Sequence, residues 1–312
     1  MKTCFLFPGQ GAQYPGMGKD FFDASSEVRN LFSAASDITS MDLEKLLFEG
    51  SEEELKATDK TQVAITLVNC AASVYLKEQG ITADGAAGFS LGEYAALWEA
   101  GVLSLEDLFA IVKVRGELME KASRHLDSPE GSPGMAAVIG LGYDDVMKVL
   151  EELKEDQVTL ANYNSPIQMV LSGNAAGLEK GEKLFDEAGA MKYVRLKVAG
   201  PFQSPLLKEA RDRLETDLAG RNFQDPKKPV YANVSGKKVE SGEEAKKLCV
   251  EQVVSTVRWV DEEQSILDDG YERILETGPG KVLTGLWKSF YRKMKAQPVG
   301  TVEAVQKLTG QA

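Results

Sequence analysis

Apolar positions along the chain follow two rhythms. Short unbroken runs, CFLF at 4–7 and GAAGF at 85–89, end at Pro8 and Ser90 and predict strands over 3–7 and 85–89, buried on both faces as in a parallel sheet. Longer stretches repeat at helical spacing over about 18–34, 61–79 and 103–122. The second contains VAITLVNCAASVYL, apolar enough to lie deep in a core. A further helix is predicted to start directly after Ser90.

The rhythm changes after LDSPEGSPG at 126–134, whose Pro, Gly and Ser content reads as a linker. The chain then runs strand GMAAVIG, helix YDDVMKVLEEL, strand QVTLANYN, strand QMVLSG, helix AAGLEKGEKLFDEA, strand MKYVRLKV. That β-α-β-β-α-β order is the ferredoxin-like arrangement. After Gly200 the pattern predicts helices near 205–219 and 242–254, strands at 229–234 and 271–276, the turn GPGK and a helix over about 281–293. The expected architecture is α/β. A large α/β-hydrolase-like domain with a parallel sheet core covers 1–126 and 199–312, and a small ferredoxin-like subdomain is inserted at 127–198.

Composition narrows the function. The formal net charge of −12 lacks the basic stripe that nucleic-acid binding needs. Cations gather only in KSFYRKMK at 288–295, which reads as a solvated helix face. Cys4, Cys70 and Cys249 are odd in number and far apart, which implies free thiols and a reducing cytoplasmic compartment. CFLF is too short for a signal peptide or a membrane span, and no later segment reaches that length. The single histidine, His125, has no HxxxH, CxxC or HExxH companion, so no metal is expected. No long exposed apolar face stands out, and a monomer is the default.

Chemistry concentrates at GFSLG, 88–92, a G-x-S-x-G nucleophile elbow with a strand before it and a helix after it. An α/β-hydrolase would need a histidine late in the chain, whereas His125 lies beside the linker in a stretch that reads as an exposed loop. The loop PGQGAQ lacks Gly-Lys-Ser/Thr and misses G-x-G-x-x-G, so it is no phosphate loop. Placed at the end of the first strand, it is suited to turn a second backbone amide toward Ser90.

FPGQGAQ, GFSLGEYAAL, the arginine of VRGELM, GMAAVIGL, NYNSPIQMVLSG, GPFQSPLL and ETGPGKVLTGL occur in that order. Together they resemble the malonyl-CoA:acyl-carrier-protein transacylases of fatty-acid and polyketide synthesis over almost the whole chain. The resemblance implies a ping-pong transfer. Ser90 attacks the malonyl thioester, coenzyme A leaves, and the phosphopantetheine thiol of acyl carrier protein collects the malonyl group. It also implies an oxyanion hole from the Gln10 and Leu91 amides, Arg115 on the malonyl carboxylate, Gln252 orienting the base through its carbonyl, and Asn162 and Asn233 lining the site. The resemblance further implies that Phe202 favours malonyl over bulkier α-substituted extenders, and it implies no bound cofactor, the phosphopantetheine being carried by the partner. A guanidinium gripping a carboxylate through two parallel hydrogen bonds makes sense without the family, and a surface arginine paired with Glu117 is the plain alternative. Lys288, Arg292, Lys293 and Lys295 are the candidate docking cations for an acidic carrier. A free-standing chain leans toward the fatty-acid pathway.

The sequence departs from the family at two positions. Phe89 stands where a histidine often precedes the serine, and is expected to affect packing more than chemistry. Gln203 stands where the family has its catalytic histidine, and a carboxamide takes no proton near neutral pH. Three readings stay open: a substitution introduced to disable the base, a natural non-catalytic binder of carrier protein, and an enzyme with another base. An acyl hydrolase on the same scaffold is the further alternative, although it has no use for a carboxylate grip.

Overall fold

The structure, a computed structural model, describes residues 1–127 and 131–310. In chain order its strands are β1 (Thr3–Phe7), β2 (Gly85–Gly88), β3 (Gly134–Ile139), β4 (Thr159–Ser165), β5 (Gln168–Gly173), β6 (Lys192–Arg195), β7 (Tyr231–Ala232), β8 (Lys237–Lys238), β9 (Arg273–Glu276) and β10 (Ala296–Pro298). Residues 128–130 of the expected linker lie outside the described residues.

The central sheet has the order β10-β9-β1-β2, with every pairing parallel. Val230 adds one parallel bridge to Ala86 at the β2 edge. The period-2 alternation of β1 divides CFLF between two cores. Phe5 and Phe7 join the core built around the helices Thr58–Glu78 and Leu105–His125, while Cys4 and Leu6 join Trp259 and Trp287 on the other. The three cysteines are free and buried.

The second sheet is antiparallel, in the order β4-β5-β3-β6, with its own core against the helices Tyr143–Glu152 and Ala175–Glu187. That is the strand order of a ferredoxin-like unit. Its β4 edge is joined to the large unit, since Tyr163 N donates to Val257 O at 2.9 Å and Val257 N to Ala161 O at 2.8 Å. The Ser172 hydroxyl also donates to the Phe202 carbonyl.

Several elements differ from the sequence expectation. The helix expected over 18–34 is two, Lys19–Ala24 and Ser26–Thr39, because Ser25 turns extended and caps the second through Val28 N. His125 ends the helix Leu105–His125 instead of lying in a loop. The strand expected at 229–234 keeps only the two residues of β7, which pair with β8. The helix expected over 281–293 stops at Phe290, because Tyr291 is extended and the buried Trp287 donates its indole N–H to Met294 O at 3.0 Å. Only Lys288 of the basic cluster is therefore helical. Arg292, Lys293 and Lys295 lie on the turn into β10, a strand the sequence pattern does not foresee. No described helix is long and apolar enough to cross a membrane.

Candidate active site

Ser90 sits between β2 and the helix Gly92–Glu99 with φ at 48°, the left-handed backbone of a nucleophile elbow. The turn closes so tightly that small residues are required on both sides. A Cβ on Gly88 would lie 2.0 Å from the Gly92 carbonyl carbon, and one on Gly92 would lie 2.0 Å from the Phe7 carbonyl oxygen. Phe89 turns its ring edgewise against Trp259, with centroids 5.4 Å apart. The loop after β1 packs on the elbow, and Gln10, Leu91 and Ser90 share the wall of one cavity of about 830 Å³. The Gln10 and Leu91 amides donate to no acceptor within the described chain, which leaves both free for an oxyanion.

Arg115 lines the same cavity, though it is only 1% exposed. No carboxylate of the described residues lies within ion-pair distance of it. Its partners are instead neutral amides, with Nη1 donating to Gln62 Oε1 at 2.7 Å and Nη2 to Gln252 Oε1 at 3.0 Å. Nη2 also reaches Ser90 Oγ at 3.4 Å, the guanidinium lies over the Tyr94 ring at 5.3 Å, and Nε has no partner. A buried cation whose direct hydrogen-bond partners are all neutral favours an incoming anion.

Gln203 also has a left-handed backbone, with φ at 51°, and its Nε2 donates to Ser90 Oγ at 2.9 Å. The serine oxygen thus receives two donors and faces no base. His125 is an exposed helix-end residue whose Nδ1 lies 3.8 Å from Glu209, and it does not line the cavity.

A buried polar network supports the elbow. Ser90 N donates to Asn233 Oδ1 at 2.7 Å, and Gln252 Nε2 donates to Ser90 O at 3.0 Å, to Glu93 Oε2 at 2.8 Å and to Asn233 Oδ1 at 3.2 Å. Asn233 donates from its backbone to Glu93 Oε2 at 2.9 Å and from Nδ2 to Glu262 Oε1 at 2.7 Å. Burial pushes the Glu93 carboxyl up to about 7, opposed by its hydrogen bonds and by Arg115. Burial, with Glu93 as neighbour, holds Glu262 well above the usual carboxylate range.

The structure thus brings Ser90, Gln203, Gln10, Leu91, Arg115 and Phe202 to one cavity, with Asn162 in its wall. Asn233 does not line it; it lies beneath the elbow and holds Ser90 from behind. Gln252 contributes its side chain, bridging serine and arginine. Sequence reasoning missed Gln62, Glu93, Asn164 and Glu262. The available signal was polarity inside apolar helical runs, as at Gln62 in TQVAITLV and Glu93 in GEYAAL. Asn162 and Asn164 each carry a buried side-chain oxygen with no partner beside the cavity, free to accept from a ligand.

A family model described as an acyl transferase domain matches residues 4–309. The chain is 38% identical over 307 residues to a malonyl CoA-acyl carrier protein transacylase of Bacillus subtilis (strain 168), covering 98% of this chain and 95% of that protein. It is 35% identical over 311 residues to the enzyme so named from Staphylococcus aureus (strain COL), covering 98% and 97%. Among solved structures, the malonyl CoA-acyl carrier protein transacylase of Clostridium perfringens superposes with a TM-score of 0.94 at 33% identity, covering 100% of this chain and 97% of that one. A malonyl-transacylase solved in complex with its type II PKS acyl-carrier protein superposes at 0.93 with 34% identity and full coverage of both chains.

Proposed function

The chain belongs to the malonyl-CoA:acyl-carrier-protein transacylases, and from that premise we propose that this member transfers malonyl through Ser90 at a rate strongly limited by Gln203. The observation that carries the malonyl part is Arg115, a buried guanidinium with no acid partner, 3.4 Å from the serine oxygen. A malonyl carboxylate anchored there leaves its thioester carbonyl within reach of Ser90 Oγ. The oxygen attacks that carbon, and the resulting oxyanion is received by the Gln10 and Leu91 amides. The C–S bond then breaks, leaving malonyl as an ester on Ser90. A carrier-protein thiol reverses the sequence and takes the acyl group away.

The hydroxyl proton is where this chain departs from its relatives' resemblance. Gln203 holds Ser90 by donating to it and takes nothing back, so the departing thiolate or water must receive the proton. General-base assistance is worth about 10²–10⁴ in rate, and the oxyanion hole and the arginine grip survive its loss. The expected behaviour is firm binding of malonyl-CoA with slow acylation and slow release.

Intact-protein mass after mixing with malonyl-CoA tests this reading. The chain should gain one malonyl unit slowly, a Gln203→His variant quickly, and a Ser90→Ala variant not at all. If neither of the first two is acylated, Ser90 is not the nucleophile and a non-catalytic binder of carrier protein becomes the better reading.

A further inference from the structure

The cavity wall hides a charge arrangement that the acyl-transfer steps leave unused. Arg115 and Glu93 come from different helices and never touch directly. A single carboxamide stands between them, with Gln252 Oε1 accepting from Arg115 at 3.0 Å and Nε2 donating to Glu93 at 2.8 Å. The amide dipole points its negative end at the cation and its positive end at the acid. Glu93, only 1% exposed, is therefore the counter-charge of Arg115 at one remove.

Every other titratable group facing this pair is held neutral or fixed. From its own helix Glu93 meets Tyr94, and from the helix Gly242–Gln252 it meets Cys249. Burial raises both well above their ordinary values. From the helix Trp259–Asp268 it meets Glu262, which shares Asn233 with it and is in turn faced by Glu263 and Asp261. Glu262 lies in full burial with its Oε2 unpartnered, a poor place for a second negative charge. Glu93 is thus the group free to change charge around neutrality when the charge on its cation is cancelled.

We infer that malonyl binding is proton-linked: when the substrate carboxylate neutralises Arg115 from the cavity side, Glu93 loses its counter-charge and takes one proton from solvent. This rests on the malonyl reading above. No other bond changes. The protonated carboxyl can still accept from Gln252 and Asn233, so the support under Ser90 persists while a net buried negative charge is avoided. Glu93 is a positioning residue here, acting through Gln252. Affinity for malonyl-CoA should fall as pH rises above about 7, by at most about tenfold per unit for one linked proton.

The test uses the Ser90→Ala protein, which binds without reacting. Calorimetric titration with malonyl-CoA and with acetyl-CoA, each in phosphate and in Tris buffer, reads the protons taken up. Acetyl-CoA carries the same phosphates and subtracts their titration. At pH 7 malonyl-CoA should show an excess uptake approaching about half a proton, rising toward about one at pH 8 as Glu93 starts more fully ionised. The excess should vanish when Glu93→Gln is added, with malonyl-CoA still bound. Equal uptake for the two ligands, or an excess that survives Glu93→Gln, overturns the linkage and leaves malonyl selectivity standing. Should the double variant fail to fold, the two-ligand comparison in Ser90→Ala alone decides. If malonyl-CoA binds no better than acetyl-CoA, the malonyl reading itself fails and the linkage with it.

Discussion

Arg115 is held by Gln62 and Gln252, two neutral amides that fix its fork without quenching its charge. An acid in either place would have satisfied the guanidinium and closed the site to an anion. Arg115→Gln should therefore leave the acetyl reaction nearly unchanged and lower kcat/KM for malonyl-CoA by about 10- to 150-fold, the value of a charge-assisted hydrogen bond. A drop of equal size for both substrates would mean that Arg115 supports the fold and not the substrate. At this scale much of the site was legible. Ser90 was readable from the elbow pattern itself, whereas Gln10, Leu91 and Arg115 were reached through the resemblance; the structure brings all four to one cavity. Gln62, Glu93 and Glu262 were not legible, because a polar residue in an apolar run announces burial and does not name its partner, which comes from another helix.

Among the elements, the junction of β2 and the helix Gly92–Glu99 has little tolerance for change. Gly92→Ala would push a methyl group onto the Phe7 carbonyl, 2.0 Å away, and neither a parallel strand nor a buried helix has room to shift. A loss of several degrees in Tm is expected along with lost acylation. Unchanged melting would mean that the sheet and helix separate more easily than their packing implies. Buried elements such as β1 and the helix Thr58–Glu78 were readable because continuous apolar runs define them. β7 and β10 were not, since two or three residues carry no period and gain their pairing only from neighbours distant in sequence. The redrawn end of the helix Val282–Phe290 also changes the docking candidates. Its Val282, Leu283 and Leu286 line the cavity, while Lys288 and the turn carrying Arg292, Lys293 and Lys295 continue from it. Replacing those four cations by Glu should weaken carrier-protein binding at low salt. Unaltered affinity would exclude the patch.

Across the whole molecule, a −12 chain has folded carboxyls into its interior. Burial raises Glu93 to about 7 and lifts Glu262 and Glu263 well above the usual range. Each binds its proton more tightly folded than unfolded, so its contribution to stability is complete below the unfolded value near 4.5 and is lost as pH rises through the folded one. Melting temperature should accordingly fall as pH rises from about 4.5 through about 7, the interval over which Glu93 stays protonated only in the fold, in step with growing repulsion among surface acids. Glu93→Gln should flatten that slope, and an unchanged slope would assign it to Glu262, Glu263 and surface charge instead. The Gln252 carboxamide also has a consequence for chain length. By holding the Ser90 carbonyl and the Arg115 guanidinium with its two ends, it acts as a ruler between the attacking oxygen and the anchor of the acyl group. Arg115 Nη2 lies only 3.4 Å from Ser90 Oγ, so a second methylene between the two carboxyls of the diacid is expected to carry the thioester carbon past the serine. In direct competition succinyl-CoA should load more slowly than malonyl-CoA, though it carries the same charge.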